Sequence, residues 1–269
     1  QYMFKNRLII KNLVIRNLKE EFKSYKWIFF IGLFFILNLI AKIETYNLAT
    51  SNQLTFNWWD VLYNIIQNQY YVIYLFFPLF LYILFKNIKS NLSSEYIIRH
   101  VSRKNFIISK IITVKILSLS FILIIVFISL IGSVGLDFYP KWSSISIYFF
   151  SDNIVNTFSN PIVPILLAII LSSISFTFIS IISILGIIYI KPKFAWIPSI
   201  TIWITSLLGI RLIGNKKMYE FAFLNTNMLL HQAMSISSYG FILSFFLMII
   251  LSSIMIYFLI MKIESIDFK

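Results

Sequence analysis

Side chains able to do covalent or redox chemistry are scarce in this sequence, and none falls in the pattern that chemistry needs. Cysteine is absent, so neither a disulfide framework nor a thiolate metal site exists. The two histidines, His100 and His231, are too few and too far apart for a metal centre. Gly209-Ile-Arg-Leu-Ile-Gly214-Asn-Lys216 has the glycine spacing of a phosphate-binding loop. Asn215 stands where the lysine belongs, however, no Ser or Thr follows for magnesium, and the segment leaves an apolar run rather than a strand. Glu20-Glu21 has no basic partner at the spacing an intramembrane protease needs, and no histidine lies in an apolar stretch. What remains is a row of hydroxyls in one apolar stretch: Ser172, Ser173, Ser175, Thr177, Ser180 and Ser183. Such side chains let helices approach closely and hydrogen-bond across the contact. They also suit a polar track for a passing solute, and at a seam between subunits both uses hold. The residue types thus point to transport or scaffolding, with no catalytic group, no metal and no cofactor of the chain's own.

The elements that must position these groups are membrane helices. The chain is 59% hydrophobic and 12% charged, about half the charge of a soluble domain of its 269 residues. A hydrocarbon core about 30 Å thick takes roughly 20 apolar helical residues. Six uncharged stretches answer to that: Trp27–Ala41, Tyr70–Phe85, Ile116–Leu136, Ile162–Ile190, Phe194–Ile210 and Phe241–Met261. The third and sixth hold 21 residues each, and the fourth, at 29, has to tilt, kink or project. The first, second and fifth are short and are expected to extend into flanking polar residues such as Asn68 and Gln69. Pro78 and Pro198 are expected to kink their helices by removing a backbone donor. The fold class is an all-α membrane protein of six transmembrane helices, with residues 1–26 as an approach segment and 27–269 as the membrane domain.

Charge gives the orientation. Lys and Arg number 7 in residues 1–26, 1 in 42–69, 7 in 86–115, 1 in 137–161, 2 in 191–193, 3 in 211–240 and 2 in 262–269. Alternate gaps therefore hold 18 against 5. Basic residues stay on the cytoplasmic side of bacterial membranes, which puts both termini in the cytoplasm of a multi-pass protein of the cytoplasmic membrane. The net charge of +13 suits loops lying against anionic lipids rather than nucleic acid.

Residues 8–26 read as an amphipathic helix. Ile10, Val14, Leu18 and Phe22 recur every four residues, while Arg16, Lys19, Glu20, Lys23 and Lys26 lie mostly on the other side. Such a helix rests in the membrane interface with its lysines near the headgroups. A plain basic topology signal is the alternative, and the four turns of apolar period favour the helix.

The largest polar stretch, 86–115, carries Lys86, Lys89, Glu95, Arg99, His100, Arg103, Lys104, Lys110 and Lys115. Ser93-Ser94-Glu95 can start a helix, with the carboxylate in its first turn. Tyr96, Ile97 and Val101 give it a short apolar stripe, a shape suited to a partner's groove. Glu95, an apolar run, Ser102-Arg103 and then Lys110 entering the third stretch together resemble the cytoplasmic loop of type-two ATP-binding cassette (ABC) exporter permeases. The Gly-Thr that often follows the glutamate there is replaced by Tyr96-Ile97, and Val101 stands near the usual proline. The resemblance implies six spans, cytoplasmic termini, an interfacial helix before the first span and a coupling helix in 86–115. It also implies short re-entrant helices between spans five and six. By that resemblance Glu95, Arg99, Ser102, Arg103 and Lys110 couple the chain to a separate ATPase subunit that binds ATP and magnesium. A second permease, identical or related, completes the pathway.

The segment 211–240 fits that expectation. Its Tyr219, Phe221, Phe223, Leu224 and Met228 to Leu230 alternate with Asn225, Asn227, His231 and Gln232, too apolar for a solvated loop and too interrupted for a span. Residues 42–69 likewise show an apolar helical face through Trp58, Trp59, Leu62, Ile65 and Ile66. Small, aromatic outer segments suit a hydrophobic or amphipathic cargo, such as an antimicrobial or toxin-like peptide or a lipophilic drug, exported for immunity or resistance. The rival reading is a non-transporting membrane scaffold or sensor that recruits a cytoplasmic partner through its basic loop.

Overall fold

The computed structural model describes residues 2–90, 103–139, 141–149, 152–190, 196–211 and 223–265, and among them there is helix but no strand. In chain order the helices are α1 (Tyr2–Phe22), α2 (Lys26–Ser51), α3 (Trp58–Gln67), a π-helical turn (Tyr71–Phe76) running into α4 (Phe77–Ser90), and α5 (Arg103–Gly132). Then come α6 (Ser144–Phe149), α7 (Asp152–Thr157), α8 (Ile162–Tyr189), α9 (Ile197–Arg211), α10 (Phe223–Met228), α11 (Leu230–Ile236) and α12 (Gly240–Ser265). Among the described residues, α2, α5, α8 and α12 are each long and apolar enough to cross a membrane, and a fifth crossing arises if α3 and the π-turn–α4 segment count as one bent span. This is the architecture of an all-α membrane protein. The short α9, of 15 residues, is apolar but below that length.

α2 shows how little of a helix needs to be buried in such a fold. Its covered residues are Trp27, Phe30, Phe34, Asn38, Ala41, Thr45 and Ala49, alternating three and four apart on one face. Ile28, Phe29, Phe35, Ile36 and Ile43 point outward, as apolar side chains do in lipid. The covered stripe shrinks from aromatic to small along the helix, so α2 closes on its neighbour α5 at its far end. There Gly132 of α5 meets Asn38, and a Cβ at Gly132 would overlap the Asn38 side-chain amide. Lys42 reaches across the same contact. Its Nζ donates to the carbonyls of Gly132 and Val134 at 3.2 and 3.1 Å, a cationic cap on the end of α5.

α5 is the central element and packs against α1, α2, α3, α4, α8 and α12. The centre is a phenylalanine cluster. Phe121 of α5 lies 5.6 Å from Phe34 of α2, 5.4 Å from Phe80 of α4 and 5.6 Å from Phe176 of α8. Edge-on and tilted ring pairs of this kind add about 0.5–1.5 kcal/mol each beyond their burial. In lipid, where apolar area alone does not hold helices together, such directed packing matters more than in water.

Pro78, expected to kink its helix, is the second residue of α4, directly after a π-turn. The chain winds into a π-turn before it, with the Phe77 amide donating to Val72. In that register the next donor, to the Ile73 carbonyl, would come from residue 78, which as proline has none. The indole Nε1 of Trp203 on α9 fills the gap, donating to Ile73 O at 2.8 Å. The bend, of 53°, lies at the break between α3 and the π-turn instead. Pro198 also departs from expectation, because it is the second residue of α9, where a helix tolerates a missing donor without kinking.

The boundaries of the apolar stretches hold at α8 and α12 and move elsewhere. α2 runs ten residues past Ala41, through Lys42 and Glu44, to Ser51. The second stretch does not lengthen smoothly into Asn68 and Gln69. Asn68 ends α3, and its Oδ1 accepts from the Tyr70 amide at 2.9 Å, starting the next helix. α5 begins at Arg103, well before Ile116. The 211–240 segment contains the two short helices α10 and α11, while residues 212–222 lie outside the described residues.

Candidate functional site

Two ends of the bundle carry the polar chemistry. At the end that holds α1, the amphipathic helix lies along the first turns of α5 and buries Val14, Asn17 and Glu21. Asn17 Nδ2 sits 3.5 Å from Thr113 Oγ1 of α5. The expected apolar face is divided. Val14 turns inward, while Leu8, Ile15 and Phe22, seven residues apart, form an outward stripe at 53%, 40% and 41% exposure. Among the basic residues, Lys19 and Lys23 are exposed, and Arg16 pairs with Glu20 at 2.9 Å on the open surface. Lys26 is committed to a buried ion pair with Glu21, and Trp27 Nε1 donates to the Glu21 carbonyl at 3.1 Å, so the corner between α1 and α2 is fixed.

Glu95, Arg99 and Ser102 lie outside the described residues, and Arg103 is the first residue of α5. Lys110 is inside, only 3% exposed, with Arg16, Glu20 and Glu21 as its charged neighbours and the Phe106 ring 5.8 Å from its ammonium. Its Nζ has no hydrogen-bond partner among the described residues. α1 packs over the part of α5 that carries this lysine.

The hydroxyl row of α8 is brought together, but inside this chain. Ser172, Ser175, Thr177, Ser180 and Ser183 are all buried. Ser175, Thr177, Ser180 and Ser183 donate to the carbonyls four residues back, at 2.9, 2.8, 2.8 and 3.0 Å. Ser183 also shares a 2.6 Å contact with Ser199 of α9. These groups satisfy themselves on their own helix and let α8 sit in the middle of the bundle.

At the far end the polar groups form a cap and a cavity. The cap is organised by Asp60, which is fully buried at the start of α3. Its carboxylate accepts from the Asn57 amide at 2.7 Å and from the hydroxyls of Ser143, also at 2.7 Å, and Ser146. Asn57 answers by accepting from Trp59 N, completing a capping box. Trp59 Nε1 donates to Tyr139 O at 2.7 Å, and the Trp58 ring stacks on Phe138 at 4.1 Å. The whole of α3 is buried, entering the bundle from this cap.

Where α3 ends, a cavity of about 520 Å³ opens. Glu44 and Asn47 of α2 form one wall, Tyr63, Asn64 and Gln67 of α3 a second, and the break Asn68–Tyr70 with His231 of α11 the rest. Glu44 Oε2 accepts from Tyr71 Oη at 2.8 Å, and Asn68 Nδ2 donates to Asn64 Oδ1 at 3.1 Å. The Leu230 amide donates to Gln67 Oε1, tying α11 to α3. Gln69 Oε1 is buried and has no hydrogen-bond partner among the described residues. Burial pushes the His231 imidazole down to about 4, so it is neutral near pH 7. This arrangement holds no nucleophile with a base and no cluster of ligands for a metal among the described residues. Its chemistry is hydrogen bonding around one carboxylate.

The cavity was not visible as a unit in the sequence. His231 and the 42–69 segment were singled out separately, and 163 positions divide Gln67 from Leu230. The available signal was local: Asn64-Ile-Ile-Gln67-Asn68-Gln69 places four carboxamides in six residues beside an apolar run, an unusual density next to lipid. Comparison of the chain with family models, with curated proteins and with solved structures finds no match.

Proposed function

We propose that this chain is the membrane-spanning permease subunit of a bacterial ABC exporter. It moves a hydrophobic or amphipathic substrate, of the antimicrobial-peptide or lipophilic-drug class, out of the cell. A separate ATPase subunit supplies the energy and binds ATP and magnesium, and a second permease, identical or related, completes the pathway. With the bent α3–α4 pair and the short α9 counted as crossings the chain has six spans and both termini on one side, and the excess of Lys and Arg in alternate gaps supports the cytoplasm as that side.

One observation carries the reading. α5 runs without a break for 30 residues from Arg103, at the edge of the basic loop, to Gly132 at the far end. At 1.5 Å per residue that is about 45 Å, longer than the ~30 Å hydrocarbon core. A helix that projects from the membrane at the loop and touches six other helices can transmit a push on the loop to the whole bundle. A scaffold that only recruits a partner has no need of such a rod.

Purification from native membranes tests the assembly. An ATPase subunit is expected to accompany the chain. Arg103→Glu, at the base of the rod, is expected to lower transport about tenfold while ATP hydrolysis continues, since coupling energies of this size are typical between linked sites. Transport by the chain alone, in vesicles free of any ATPase, would exclude the proposal.

A further inference from the structure

We propose that the far-end cavity is a binding site for a ligand's protonated amine, with Glu44 as the counter-charge and the carboxamides of α3 and the following break as hydrogen-bond acceptors. The site stands on the cavity itself and is independent of the transport reading.

Charge comes first. The chain is strongly basic, at +13, yet among the described residues the one formally charged side chain on the cavity wall is the Glu44 carboxylate. The nearest lysine along α2, Lys42, is turned away to the carbonyls at the end of α5. His231 stays neutral, so it adds no positive charge. The last turn of α3, which supplies Asn64 and Gln67 to the wall, carries the partial negative charge of a helix C-terminus. The helix starts at Tyr71 and Leu230 bring partial positive charge to the same wall, so the formal charge of Glu44 sets the sign that favours a cation.

Hydrogen bonding points the same way. A carboxylate offers about four acceptor positions, and Tyr71 Oη uses one on Glu44. Gln69 Oε1 is a buried acceptor without a donor among the described residues. An ammonium brings three donors to such a set. Tyr70, also on the wall and 55% exposed, adds an aromatic side chain to the lining.

Volume and ligand type separate an organic amine from a bare ion. A hard metal cation gathers several carboxylates or carbonyls into a shell at roughly 2.0–2.6 Å. Here a single carboxylate borders about 520 Å³, room for an aminoalkyl chain such as a lysine side chain or for an aminoethyl headgroup.

The test uses the full chain in phosphatidylcholine nanodiscs with two fluorescent probes. One is a dansyl group on a six-carbon primary amine, the other the same molecule with its amine acetylated. The free amine is expected to bind saturably and about tenfold more tightly than its neutral twin, as one charge-assisted hydrogen bond implies. Glu44→Gln is expected to abolish that preference. Tyr71→Phe, which frees an acceptor position on Glu44, is expected to keep it. Asn64→Asp, which adds a second negative charge to the wall, is expected to raise amine affinity and guards against a Glu44 variant that simply fails to fold. Repeating the titration with phosphatidylethanolamine in the disc identifies the source of the amine. A weakened probe means a lipid headgroup competes, an unchanged one means a soluble or peptide amine, and both support the site. Equal binding of the two probes, a preference that survives Glu44→Gln, or displacement of the amine by millimolar calcium would overturn it. An ATPase subunit that co-purifies while both probes bind equally would sink this site and leave the transport reading standing.

Discussion

The two ends of the bundle handle polarity in opposite ways. The α1 end is ionic and largely open, with exposed lysines, the Arg16–Glu20 pair on the surface and one buried pair at the corner with α2. The far end draws its polar groups into a hydrogen-bonded cap beside an open cavity. Asp60 is surrounded by hydroxyls and an amide, indoles donate to loop carbonyls, and carboxamides line the cavity. Charges in water are cheap to keep and contribute little individually. Hydrogen bonds out of water contribute more, because losing one partner strands the other. The contrast implies that more of the stability resides in the hydrogen-bonded cap of the far end than in the exposed charges of the α1 end.

Substitutions at each end can break that contrast. Asp60→Ala removes the acceptor for three donors and half of a capping box. We expect it to cost about 3 kcal/mol or more, read as a lower thermal midpoint in detergent. A shift within error would mean that the cap is not what holds the far end. Trp203→Phe leaves the Ile73 carbonyl without its donor and should cost about 1–3 kcal/mol, with Phe chosen to keep most of the ring's packing. Should that variant match the parent chain, water or lipid headgroups must reach the π-turn.

His231 sharpens the comparison through pH. Its imidazole is held down to about 4 in the folded chain against an ordinary value of 6.5, so the unfolded chain takes up the proton first. Stability from this group is intact above pH 6.5 and is lost as pH falls from there through about 4. His231→Gln should flatten that part of the profile relative to the parent chain, and parallel profiles would refute the burial of a neutral imidazole. The smallest effect belongs to the α1 end. Glu20→Gln breaks the exposed pair with Arg16 and should change stability by no more than about 0.5 kcal/mol. A loss as large as that of Asp60→Ala would erase the distinction between the ends.

Much of the helical frame was legible in the sequence, and the reasons are specific. Ile162–Ile190 and Phe241–Met261 match α8 and α12 closely, because an uninterrupted uncharged run has one economical structure in lipid. α2 was read ten residues short. Lys42 and Glu44 look like a boundary until Gly132 and Tyr71 are seen to receive them. The bend of the second stretch is not legible as an apolar pattern: the turn at Asn68 is a local side-chain bond to the Tyr70 amide, and the Ile73 carbonyl in the π-turn is met by a tryptophan 130 positions away. The α8 hydroxyls were found, whereas their inward direction depends on which helices surround them. Asp60 is not legible as a cap, because a lone aspartate near tryptophans carries no local sign that Ser143 and Ser146 will close on it.

The Ile73 carbonyl has one further meaning, for the making of the protein. On the growing chain it leaves the ribosome long before Trp203 does, so the first half of the molecule enters the bilayer with an exposed acceptor at its π-turn. Until α9 is synthesised, that half has to keep water, a headgroup or an insertion factor beside the turn. The donor that this carbonyl has in the finished fold comes from 130 positions further along the chain.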